Sequence, residues 1–332
     1  MPGVPARSPV AGFARLLRKR AGAPERLRAE VIARTAAFAF AVTSALAGQQ
    51  TLAGLMLFLA GLPHGAAIET SDDLRAIGFA QATAYLVAAA AFVALFVGSP
   101  AVGLGLFLAL SAWHLAIDDE AAGPIARLAV AGLVIGGSAL FRPQSTEHVF
   151  AMLTGGGVPP EMVSGAAVCG MVGVASAGVL AIRRRPEAWI ALAMIAGFVV
   201  LDPVLATGLA FFAGHALPVQ CNQIRRYGFG KVMRAEALPS VLAMLGAVAL
   251  AVLVWRGIVP LPAAAALAFG LALPHMLAGK LEPVACNGDA FGSAGLPDQN
   301  ACPKLLKRSS TSVRSGPESV LRACIISRRP SS

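Results

Sequence analysis

The chain has 332 residues, of which 57% are hydrophobic and 13% charged, and a net charge of +10. Soluble domains carry about a quarter charged residues, so half that share, with repeated long apolar runs, excludes a soluble globular class and indicates a polytopic membrane protein. Period-two alternation is absent, which excludes a transmembrane barrel and leaves spanning helices.

Residues 1–30 are basic and polar. They are expected to form a cytoplasmic arm, with no cleavable signal before the first apolar run. Val31–Ala47 and Thr51–Pro63 are short for a crossing of about 20 residues, and read as a hairpin or one broken segment. A polar loop, Gly65–Arg75, carries Glu69, Asp72 and Asp73. Ala76–Val97 and Ala101–Ile117 cross next, turned by Gly98-Ser99-Pro100, and Asp118-Asp119-Glu120 closes the second. Pro124–Phe141 crosses again. The loop over 142–160 holds a short interfacial helix near Glu147–Leu153. Glu161–Ile182 is rich in glycine and alanine, which lets neighbouring helices approach closely, and stops at Arg183-Arg184-Arg185. Glu187–Leu201 and Pro203–Val219 are separated at Asp202-Pro203. A basic loop is expected over Gln220–Glu236, followed by crossings at Ala237–Trp255 and Leu261–Ala278. Residues 282–332 are rich in serine, arginine, proline and glycine and read as a disordered basic tail.

The expected architecture is therefore all-α, a transmembrane bundle over 31–281 with about 8–10 spanning helices. With the N-terminal arm inside and ten crossings, the clusters Arg15–Arg28, Arg183–Arg185, Arg225–Arg234 and the tail all fall on the cytoplasmic face. That is the positive-inside pattern, with both termini inside. The basic surplus is assigned to orientation and anionic lipid rather than to nucleic acid. Five cysteines without a CxxC pair give neither a disulfide framework nor a closed structural zinc site.

A titratable side chain at membrane depth is costly and marks a functional site by default. Of the five histidines, His64, His114, His215 and His275 stand at the ends of apolar runs, and His148 falls in an outside loop. On the expected topology, all four runs point the same way, so the four imidazoles share one depth. Imidazole suits zinc, copper, iron and nickel. Glu69, Asp118 and Asp119 stand just beyond two of them, where a carboxylate can accept the second ring N–H. Pro63 and Pro274 precede two of the histidines and can bend the chain to turn the next ring inward. Trp113, Phe211 and Phe212 flank the histidines and are candidates to line a substrate slot. Gly103, Gly105, Gly132, Gly136 and Gly137 are expected either to leave room for that slot or to pack helices tightly. No HxxH box of the membrane di-iron desaturases is present.

The motifs Gly61-Leu62-Pro63-His64-Gly65-Ala66, Ser111-Ala112-Trp113-His114 with Asp119 behind it, Gly214-His215-Ala216-Leu217 and Leu273-Pro274-His275-Met276 together resemble one family. It is the Brp/Blh-like (bacteriorhodopsin-related protein) family of membrane β-carotene 15,15'-dioxygenases, and the resemblance runs from Leu52 to Leu281. It implies Fe2+-dependent cleavage of the central double bond of β-carotene by O2, giving two all-trans-retinal. It also implies a place in the inner cell membrane and a retinal-binding opsin downstream. The iron ligands it implies are His64, His114, His215 and a fourth histidine four residues after His215. That position is Val219. An acid implied four residues after His64 is replaced by Ile68, with Glu69 beside it. The outcome is a three-histidine site, a site completed by His275, or a member without activity. Two other functions compete with the oxygenase. One is a transporter using the histidines as a proton relay, and the other is a non-catalytic protein that handles carotenoid or retinal.

Overall fold

Prolines open five of the twelve helices among the described residues. Their fixed φ suits the first turn, where the missing N–H has no intrahelical partner to lose. The computed structural model describes residues 23–65, 68–69, 74–75, 79–117 and 122–278. All of these belong to the unit Met1–Glu282; the tail over 282–332 and the start of the arm, residues 1–22, lie outside the described residues. Helices α1 (Ala23–Leu46) and α2 (Gln50–Gly61) come first, and a 3₁₀ turn, Leu62–Gly65, follows α2 directly. A two-residue antiparallel pairing, Ile68–Glu69 with Leu74–Arg75, lies within the polar loop. Helices α3 (Phe79–Gly98), α4 (Pro100–Ile117), α5 (Pro124–Phe141) and α6 (Pro143–Thr154) follow. Next are α7 (Pro160–Ile182), α8 (Glu187–Val200) and α9 (Pro203–Phe211). A π turn, Phe212–Ala216, joins α9 to α10 (Leu217–Tyr227) without a break. The last two are α11 (Phe229–Trp255) and α12 (Leu261–Ala278).

Six of these segments are long and apolar enough to cross a bilayer, counting Pro203–Tyr227 as one, and three shorter apolar helices accompany them. Their outer faces carry large apolar side chains, including Ile32, Leu46, Val87, Val172 and Leu245. Water does not tolerate so much exposed hydrocarbon, and lipid does. The protein is a multi-pass membrane protein, and its fold is the all-helical bundle expected.

Small residues set how closely the helices meet. α5 and α7 touch backbone to backbone. A Cβ on Gly136 would lie 1.9 Å from the Ala166 carbonyl oxygen, and one on Gly132 2.5 Å from that of Cys169. A Cβ on Gly137 would strike the Phe198 ring, and one on Gly103 would meet Phe96. These glycines therefore serve close helix contact. Only Gly105 has space, with Met162 Cε 3.8 Å from its would-be Cβ. α2 crosses α9 in the same way, at Gly54 and Gly208.

The break expected at Asp202-Pro203 is real. Asp202 caps α9 by accepting from the Val204 N–H at 2.9 Å, and its own N–H donates to Gln50 Oε1. The basic loop expected over Gln220–Glu236 is corrected. α10 continues to Tyr227, the chain reverses at Gly228 with φ +85°, and α11 begins at Phe229. Glycine tolerates that left-handed φ without a Cβ penalty. Ile224 and Tyr227 pack on Val232 and Ala235, so the reversal is a helical hairpin closed by its own small core. The cations that suggested a loop sit on its exposed side.

Candidate metal centre

Three segments far apart in sequence each bring one imidazole to a common point. His64 sits in the 3₁₀ turn after α2. Its Nδ1 lies 2.5 Å from the Gly61 carbonyl oxygen. A carbonyl only accepts, so Nδ1 carries the proton and Nε2 keeps its lone pair. Gly61 is itself confined, because a Cβ there would lie 2.5 Å from Phe211 Cε1. Phe211 stacks on Phe58, with centroids 5.5 Å apart, and meets the His64 ring edge-on at 5.5 Å.

His114 lies on the last turn of α4, beside buried Ser111 and Leu115. The end of that helix is held by Arg127 on α5, whose Nη1 donates to the Ile117 carbonyl at 3.2 Å. A cation at a helix C-terminus also complements the helix dipole.

His215 lies within the π turn. Pro218, just beyond, has no N–H to donate to the carbonyl of Gly214, while the Leu217 N–H bonds the Phe212 carbonyl five residues back. Proline in an otherwise continuous helix forces such a local widening, and π turns recur at functional sites because they re-aim side chains. Gly214 lets the widened turn fit, since a Cβ there would lie 3.1 Å from Met194 Sδ and 3.3 Å from Val130 Cγ1.

The result is a buried triad. His64, His114 and His215 are 7%, 5% and 2% exposed. Each offers a ring nitrogen, and these nitrogens all lie within 4.8 Å of one another. The His215 ring stands 5.0 Å from that of His64 and 5.5 Å from that of His114, edge to face in both cases. An ion holding nitrogens at about 2.1 Å spans roughly 4 Å between opposite ligands, so the cluster is close to the reach of one ion. Neutral imidazoles fit a first-row transition metal, and three of them leave positions open.

The chain matches the sequence model of the family described as beta-carotene 15,15'-dioxygenase over residues 55–281. It belongs to this family. No curated protein and no solved structure matches the chain. The family match spans all four apolar-run histidines, from His64 to His275.

The other expected site residues fall as follows. His275 lies on α12, which packs on α4, but its side chain is outside the described residues. Its neighbour Met276 accepts a contact from Ser111 Oγ at 3.6 Å. Glu69 lies in the short pairing opposite Leu74; its side chain, with Asp118 and Asp119, is also outside the described residues. Phe211 touches His64 and Phe212 is half-buried, whereas Trp113 is 41% exposed on the flank of α4. His148 is exposed on α6, away from the triad. The signal missed in the sequence was Pro218, which marks the turn that presents His215.

Proposed function

We propose that this chain cleaves β-carotene at its central 15,15' double bond with O2, giving two molecules of all-trans-retinal, with Fe2+ held by His64, His114 and His215. The observation that carries this reading is the meeting of three buried imidazoles from three segments in a chain of this family. When bound, the ion would supply the site at which O2 is activated beside the alkene. The protein's part is positioning and exclusion. The Gly61 carbonyl fixes the tautomer and plane of His64. The π turn aims His215, and the capped end of α4 holds His114. Phe58 and Phe211 keep an apolar wall against the His64 ring, which suits a substrate that is pure hydrocarbon and dissolves in the bilayer. Burial keeps water, a competing ligand, from the nitrogens.

The test is expression in cells that make β-carotene. Loss of orange colour with retinal formed is the expected result. Intact carotene with metal still bound would select the non-catalytic carotenoid-handling reading, which Val219 favours by standing where the family resemblance implies a fourth imidazole.

A further inference from the structure

Among the described residues, Glu236 is the only buried carboxylate, with 0% exposure. It lies on the buried stripe of α11 with Val232, Ala235 and Ser240. Gln220 on α10 donates from Nε2 to Glu236 Oε2 at 2.8 Å. Gln220 is five residues beyond His215 on the same continuous helix, a rise of about 7.5 Å along the axis. The 3₁₀ turn that carries His64 packs against both α10 and α11. The carboxylate therefore sits in the hairpin that cradles one candidate ligand and continues into the other.

Imidazole ligands are neutral. A divalent ion held by three of them brings two positive charges into a low-dielectric bundle with no anion among its ligands, and such a charge is costly unless it is compensated nearby. We propose that Glu236, held by Gln220, is the counter-charge of the metal centre, a positioning residue that acts on the ion through space and not as a ligand. This rests on the metal reading above.

The test titrates the full chain in detergent micelles with Co2+ and follows ligand-field absorption. Glu236→Gln keeps the shape and the hydrogen-bonding partner but removes the charge. It is expected to bind Co2+ about ten- to a hundred-fold more weakly, with the same spectrum as the wild type. Glu236→Asp keeps the charge and is expected to recover most of the affinity. Equal affinity in Glu236→Gln overturns the proposal. So does a changed spectrum, because it would mean that the carboxylate shapes the ligand set. If Glu236→Gln does not fold, Gln220→Ala decides. Its affinity is expected to fall for want of the amide that holds the carboxylate, and an unchanged value overturns the idea. No Co2+ binding by the wild type would instead remove the metal centre itself.

Discussion

His64 shows how one side chain is prepared for coordination before any ion arrives. Its Nδ1 proton is committed to the Gly61 carbonyl, so only Nε2 faces outward. His64→Ala, His114→Ala and His215→Ala are each expected to abolish tight Co2+ binding by the purified chain. His148→Ala, exposed on α6, is expected to leave it unchanged. Val219 is buried one turn beyond His215 on the same helix. Val219→His is expected to tighten Co2+ binding and shift the ligand-field spectrum as a fourth nitrogen joins, while overpacking lowers the stability of the metal-free protein by about 1–3 kcal/mol. An unchanged spectrum would place residue 219 outside the coordination sphere. The triad was legible in the sequence because an imidazole inside an apolar run is rare and expensive. Glu236 was not, because Arg225, Arg226, Lys231 and Arg234 around it give its stretch the composition of a loop.

At the scale of elements, the site depends on two departures from regular helix. The 3₁₀ turn after α2 and the π turn after α9 bring rings together that straight helices would turn elsewhere. Pro218→Ala restores an N–H that can bond the Gly214 carbonyl, so α9 and α10 are expected to close into regular α-helix. His215 would then rotate away, and Co2+ affinity is expected to fall at least tenfold with no loss of helical circular dichroism. Retained affinity would show that packing, not Pro218, holds the turn. Four helix starts were legible at prolines, Pro100, Pro124, Pro160 and Pro203, whereas Pro143 opens a helix in a stretch that read as a loop. The hairpin of α10 and α11 was not, because helices that extend beyond the apolar run lose the hydropathy signal while keeping their hydrogen bonds. The glycines were legible as small but not as to purpose. Gly136 leaves 1.9 Å for a Cβ against Ala166, whereas Gly178, on the same pair of helices, has nothing within 4 Å. Gly136→Ala is therefore expected to destabilise by at least about 1–3 kcal/mol, read as a lower melting temperature in detergent. Gly178→Ala is expected to be neutral or to stabilise by up to about 1 kcal/mol.

For the molecule as a whole, the three histidines bring together parts that are distant in sequence. α2 is locked to α9 through Gly54 and Gly208, and α4 to α5 through Arg127. An ion on His64, His114 and His215 would clip these segments across long stretches of chain. Binding to the folded form alone stabilises by mass action, about 2.7 kcal/mol when the free ion is at 100 times its Kd. The wild type is thus expected to melt several degrees higher with Co2+ than after chelation, and His114→Ala is expected to melt at one temperature in both states. The helices themselves need no ion, because in lipid each satisfies its own backbone. Chelation is therefore expected to lower the melting temperature without reducing helix content below it. A chelated protein that loses its helices at once would mean that the metal organises the bundle, whereas the close glycine contacts of α5 with α7 and of α2 with α9 place that task in the packing.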